Sequence, residues 1–292
     1  MVDFAKLKKA SGGLDRLAKE LDKLNAPTSQ EKKGDDRFWK IERDKSGNGS
    51  AVIRFLPAPA VDGDDALPWV RIFDHGFKGP TGKWYIEKSL TTLGQKDPVS
   101  EYNTKLWNAG GEGSPERKQA QNQKRRLSYI SNIYVVSDPK HPENEGKVFL
   151  FKFGKKIFDK ITMLMKPEFE DDTPINPFDL WKGANFKIRI RTVDGYANYD
   201  QSLFESSTPL SNNDDELEKI WKSEYSLKEF VELSQFKSYA ELKTKLEMVL
   251  GEAEDVTADR SVPVRKDLVR PAPSFEDDDD EDLKAFKALA DN

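Results

Sequence analysis

Hydrophobic positions along this chain change period from one region to the next. Leu7, Leu14 and Leu21 are spaced by seven, and so are Ala10, Leu17 and Leu24, an a/d stripe that predicts an amphipathic helix. Gly12 and Gly13 weaken its first part, Asn25 and Pro27 end it, and Lys6, Lys8 and Lys9 load its start. Such a helix packs on its own domain or, because the polar run Thr28 to Asp36 separates it from the next element, serves as an arm that docks on another copy.

Period two takes over from Phe38. Phe38 to Ile41, Ala51 to Leu56, Trp69 to Phe73 and Trp84 to Ile86 predict short strands, with a turn signal at Ser46 to Gly49. Residues 89–123 show little periodicity and predict a long loop or small subdomain. Leu127 to Val136 and Lys147 to Phe153 predict two strands of one sheet, joined by a turn through Asp138, Pro139, Pro142, Asn144 and Gly146. In the second strand Phe149, Phe151 and Phe153 share one face, and Val148 and Leu150 the other. With both faces apolar, it either packs a core with one side and offers rings to a ligand with the other, or is buried on both sides beside a solvated basic loop.

Ile157, Phe158, Ile161, Leu164 and Met165 then recur at helical spacing up to Pro167. Phe186, Ile188 and Ile190 alternate with Lys187, Arg189 and Arg191, which predicts a strand with a basic outer face, and Asp194 and Gly195 turn the chain toward Tyr196 and Tyr199. Ser226 with Glu229 and Ser238 with Glu241 read as capping boxes, each opening a helix, the second stopping at Gly251. Beyond it Pro263, Pro271 and Pro273 punctuate the chain and Glu276 to Asp282 is unbroken acid. That composition buries too little apolar area to offset ordering entropy, so residues 251–292 are expected to be disordered, with Leu283, Phe286 and Leu289 as a stripe that folds on a partner.

Charge changes the picture more than composition does. The net charge is -5, yet Arg117 to Lys156 holds ten Lys or Arg against three acids, residues 1–33 are net basic and residues 251–292 net acidic. A basic body suits a polyanion, and an acidic terminus imitates or repels one. Cysteine is absent and His75 and His141 are the only histidines, which excludes disulfides and thiolate metal sites and leaves almost no room for imidazole clusters. No run of eighteen apolar residues and no apolar leader occurs, so a soluble, unsecreted protein is expected, with no membrane partner. Gly79 to Lys83 imitates a phosphate loop, but lacks the upstream glycine spacing and places Trp84 where the hydroxyl should stand. No HExxH, nucleophile elbow or dinucleotide fingerprint occurs, so no catalytic residue is assigned; a carboxylate-metal nuclease is the remaining enzymatic alternative.

Basic residues interleaved with rings point instead to single-stranded nucleic acid, gripped through phosphates and stacked bases. The expected architecture is mainly β with peripheral helices, an OB-type barrel core carrying an inserted subdomain, with an amino-terminal arm over 1–33, a binding core over 34–250 and an acidic tail over 251–292. A non-enzymatic interaction scaffold is the alternative reading.

The blocks NGSAVIRFLP (Asn48 to Pro57), HGFKGPTGKWYIE (His75 to Glu87), PENEGKVFLFKFGKKIFDKI (Pro142 to Ile161) and WKGANFKIRIRTVDGYANYD (Trp181 to Asp200) resemble the single-stranded DNA-binding protein family of T-even-type bacteriophages. That resemblance implies an OB-fold core with a cationic cleft, cooperative binding through the arm, and a tail that recruits phage replication and recombination proteins. It also implies action in the cytoplasm of the infected bacterial host. The family's basic motif resembles Lys8, Lys9 and Ser11 in the arm, for self-association, and Lys124, Arg125 and Arg126 in the core. By the same resemblance Tyr129, Phe151, Tyr196 and Tyr199 are expected to stack on bases, with Lys155, Lys156 and Arg189 adding charge. The family typically holds zinc with one His and three Cys. His75 is present, but Ser89, Asp97 and Ser100 stand at the other positions, so no zinc is expected, and packing of Trp84, Tyr85, Leu93 and Tyr102 is expected to hold that subdomain.

Overall fold

A single long strand, β4 (Arg126–Ser137), organises the sheet. The structure, a computed structural model, describes residues 35–169, 171–193 and 195–252. The heptad stripe and the acidic tail therefore lie outside the described residues. The strands are β1 (Gly49–Phe55), β2 (Val70–Lys78), β3 (Trp84–Lys88), β4, β5 (Val148–Phe153), β6 (Ala184–Val193), β7 (Tyr196–Asn198) and β8 (Leu203–Ser207), making one curled, mainly antiparallel sheet. β2 pairs with Arg126 to Ile130 of β4, β1 with Ile133 to Ser137, and β5 with Tyr129 to Tyr134. Because β5 overlaps both registers, it takes one edge of β4, while β1 and β2 lie end to end on the other. One end of the sheet continues into the β2–β3 hairpin, the other through β1 into β6, β7 and β8.

The period-two reading of β5 and β6 holds, and β5 is buried on both sides. Phe149, Phe151 and Phe153 pack the main core with Ile53, Phe55, Ile133, Phe186 and Ile188. On the other face Val148 meets Leu56, Leu217 and Ile220, and Leu150 meets Ile72, Ile130 and Leu227. Phe55 is the hub, with Phe153, Phe178 and Phe186 at 5.4, 5.8 and 5.8 Å between ring centroids. Emptying that position costs about 3–5 kcal/mol by analogy with other buried Phe→Ala changes.

Residues 89–123 are more ordered than their composition suggests. Asp97 caps α1 (Pro98–Ala109) and Ser114 caps α2 (Pro115–Asn122), each followed by proline at the first helical position. The helix predicted from Ile157 is α3 (Lys155–Met165). α4 (Asp214–Lys222) was not foreseen; Asn213 caps it, and its first turn is acidic and its last basic, as the helix dipole favours. The box at Ser238 opens α5 (Tyr239–Leu250) as expected. The one at Ser226 opens only a 3-10 turn at Lys228–Val231, because the Ser226 hydroxyl donates to Asp62 instead of capping, and Asp62 also accepts from the Leu227 and Lys228 N–H groups. Phe38 to Ile41 is likewise no strand; Phe38 makes an isolated bridge to Leu150.

The hairpin, α1 and α5 share a smaller core of Phe77, Tyr85, Leu90, Val99, Leu242, Leu246 and Val249, with Tyr102 against it. Of the residues expected to hold this subdomain, Tyr85 is fully buried and Leu93 half-buried, whereas Trp84 alternates to the outer face and is 49% exposed. The Gly79 to Lys83 stretch is the hairpin turn. A Cβ on Gly79 would lie 2.3 Å from the Val249 carbonyl oxygen, so its glycine serves close packing of α5. Among the described residues no helix is long and apolar enough to cross a membrane.

Candidate nucleic-acid interface

Side-chain alternation sorts the basic residues into separate groups. Gly154 ends β5, and α3 begins at once with Lys155 and Lys156 in its first turn. Lys156 Nζ lies 3.8 Å from Asp200 Oδ1, and Lys160, one turn further, donates to the Asp200 carbonyl at 3.1 Å. A hydrogen bond from Asn198 holds the Asp200 carboxyl below its ordinary range, helped by the charges of Lys156, Lys160 and Arg191. Asp200 thus holds Lys156 and Lys160 beside β7, within electrostatic reach of Arg191; Tyr196 of β7 is 55% exposed and its neighbour Tyr199 half-buried.

The second group precedes β4. Arg125 places its guanidinium 4.1 Å from the centroid of the Phe73 ring. Arg126 stands opposite Asp74 in the ladder register, and the Asp74 carboxylate accepts from Lys152 at 3.0 Å. Lys124, Arg125 and Arg126 are all half-buried. Arg71 is exposed on β2 opposite Tyr129.

Tyr129 links the two groups, but not as the sequence suggested. Its ring lies flat on Phe158 of α3, 3.9 Å between centroids and 5° between planes, and is stacked on Phe153 at 5.8 Å. Phe151 is edge-on to Trp39 at 5.4 Å. Tyr129 is 5% exposed and Phe151 6%, so neither presents a face to solvent in this conformation. The reason is register. Both lie on the face of β4 and β5 that carries the main core, and α3 packs over it. Rings at the rim are Tyr196, Tyr199, Phe158 and Trp69, the last edge-on to Phe158 at 5.5 Å. Arg189 and Arg191 stand exposed and Lys187 half-buried on the outer face of β6, with the Arg189 backbone N–H given to Ser202. Lys8, Lys9 and Ser11 lie outside the described residues.

Sequence reading saw Trp69, Arg71, Phe158 and Arg191 only as parts of predicted strands or helices and gave Lys160 no role. Lys160 sits four residues after Lys156 on one helix face, a signal that was available.

Three of the four positions that the resemblance aligns with zinc ligands, His75, Ser89 and Asp97, are engaged within the chain. His75 Nδ1 donates to the Gln123 carbonyl at 3.0 Å, and its Nε2 lies 3.2 Å from Asp97 Oδ1. Asp97 accepts from the Leu90, Val99 and Ser100 N–H groups. Burial opposes its charge, but the His75 contact and those N–H groups prevail and hold it down at about 2. The Ser89 hydroxyl is engaged with Thr91. Hydroxyls are poor zinc ligands, and His75 and Asp97 spend their contacts on each other and on backbone groups; among the described residues no three His, Cys, Asp or Glu side chains converge.

Residues 47–250 match the family model described as "gp32 DNA binding protein like". The single-stranded DNA-binding protein of Enterobacteria phage T4 is 41% identical over 246 residues, 81% of this chain and 77% of that one. Its counterpart from Enterobacteria phage T2 is 41% identical over 232 residues, 77% of this chain and 72% of that one, and a shorter match, 46% over 79 residues, is to the single-stranded DNA-binding protein of Escherichia phage SV14. With most of its length so matched, this chain belongs to the gp32-like DNA-binding family.

Proposed function

We propose that the protein binds single-stranded DNA without sequence preference and coats it during phage replication, recombination and repair inside the infected host. The observation that carries this reading is the placing of Lys156 and Lys160 on Asp200 beside exposed Tyr196, joined through the Phe158–Tyr129 stack to Arg71 and the 124–126 triplet. Cations along a groove take phosphates, and rings at its edge take bases, whatever their identity. No bond is made or broken in that task, so it needs no catalytic residue. The curled sheet serves as an OB-type platform. Residues 1–33 act as the arm that joins neighbouring copies, and the tail over 251–292 recruits replication and recombination proteins.

The test is the salt dependence of binding to oligo-dT. Each neutralised phosphate contributes about -0.7 to the slope of log K against log salt on a single strand. Contact with several phosphates therefore gives a steep line; a flat one rejects the reading. We further propose that the His75–Asp97 pair and the α1 cap hold the subdomain without metal. Purified protein is then metal-free and its melting temperature indifferent to chelators, whereas stoichiometric zinc overturns this.

A further inference from the structure

A second concave site lies away from the basic rim. The excursion after β1, the loop before β6, and α4 enclose a groove of about 640 Å³. Pro57, Pro59, Trp181 and Trp221 supply much of its wall. Both indoles are fixed by their N–H groups, Trp181 donating to Asp214 at 3.0 Å and Trp221 to the Ala58 carbonyl at 2.9 Å. Their ring faces are left accessible, with Trp181 55% and Trp221 37% exposed. The charged side chains in the wall are Asp64, Asp179, Asp214 and Glu218, all acidic; Lys222 pairs with Glu218 at 2.5 Å from outside it. Such a wall repels phosphate, which separates this groove from the DNA-binding surface.

Aromatic and proline walls with an acidic rim are the chemistry that reads an extended, proline-rich strand flanked by arginine. This chain contains one. Between residues 260 and 274, Arg260, Arg265, Lys266 and Arg270 face a single acid, Asp267, and are interspersed with Pro263, Pro271 and Pro273. We propose that residues 260–274 dock in the groove, with the prolines against Trp181 and Trp221 and the arginines on the acidic rim. The acidic run Glu276 to Asp282 fixes the direction of docking, because the rim repels it and leaves it projecting.

Reach allows the same chain to do this. The chain leaves the described residues after Glu252, next to the β2–β3 turn, where Gly251 packs on Thr81. β1 ends opposite Ile133 and β2 passes Arg126 before that turn, so the groove lies on the order of 40 Å along the sheet. Eighteen extended residues, from Glu252 to Arg270, span at most about 60 Å.

The absence of native cysteine makes the test direct. In the full-length chain, Ala60→Cys on the exposed groove wall is paired with Ser274→Cys, and the control pairs Ser274→Cys with Gly111→Cys, where an added Cβ meets nothing within 4 Å. Under mild oxidation the groove pair is expected to form its disulfide at least ten-fold faster than the control, and adding Arg265→Glu, Arg270→Glu, Pro271→Ala and Pro273→Ala is expected to remove the difference. A dimer-sized product supports the same occupant delivered from a second copy. Equal rates for both pairs overturn the proposal, as does a rate unchanged by the four substitutions. Groove linkage to Ser11→Cys of a second copy in place of residue 274 also overturns it, giving the groove to the amino terminus.

Discussion

Glu224 is a buried carboxyl with neither oxygen hydrogen-bonded, 8% exposed and close to Asp62. Burial first and the Asp62 charge second push it up to about 9. The linkage sign follows. Below the ordinary carboxylate range both folded and unfolded chains hold the proton, so Glu224 adds no pH-dependent cost there. As pH rises from about 4.5 toward 9 the unfolded chain releases it while the folded chain keeps it, and stability falls across that window. Glu224→Gln is therefore expected to be neutral near pH 4 and increasingly stabilising above it, by up to about 3 kcal/mol at pH 7 as an upper bound. Urea unfolding at pH 5, 7 and 8.5 checks this, and a benefit that does not grow with pH rejects it. Nothing in the sequence marks this residue, because its burial comes from the chain after α4 folding back on Asp62, a contact across more than 160 positions.

The elements show what periodicity can and cannot convey. Alternation correctly assigns Phe149, Phe151 and Phe153 to one face and the basic residues of β6 to another. Which face is covered depends on α3, and the Phe158–Tyr129 stack joins residues whose contact no local pattern announces. That is why Tyr129 and Phe151, two of the four rings expected to stack on bases, lie in the core of this conformation, while Tyr196 and Tyr199 stay at the surface. The helices α1 and α2 carry start signals at Asp97-Pro98 and Ser114-Pro115, but their polar faces leave no period, which is why residues 89–123 read as a loop or small subdomain. The rim built by α3 and β7 makes a prediction that separates charge from stacking. Replacing Lys156 and Lys160 by Ala is expected to flatten the salt slope of oligo-dT binding by up to about 1.4, as two phosphate contacts are lost. Tyr196→Ala is expected to weaken binding by about 1–3 kcal/mol and leave the slope unchanged. Fluorescence titrations at several salt concentrations measure both. An unaltered slope in the lysine variant, or full affinity in the tyrosine variant, removes this rim from the interface.

At the scale of the whole molecule, opposite charges on one chain compete. The segment Glu276 to Asp282 is seven consecutive acids, and the basic rim and 124–126 triplet offer it the same cations that phosphate requires. Intramolecular tethering makes the tail's effective concentration high and independent of protein concentration. Neutralising those seven acids to Asn and Gln, rather than deleting the tail, leaves residues 260–274 intact and isolates this competition. The neutralised chain is expected to bind oligo-dT more tightly than the parent, most of all at low salt. The advantage shrinks as the screening length falls toward about 8 Å at physiological ionic strength. Titrations at low and physiological salt measure the ratio of the two affinities. Parent and variant binding alike at low salt, or the variant binding more weakly, leaves the acidic run without a hold on the basic surface.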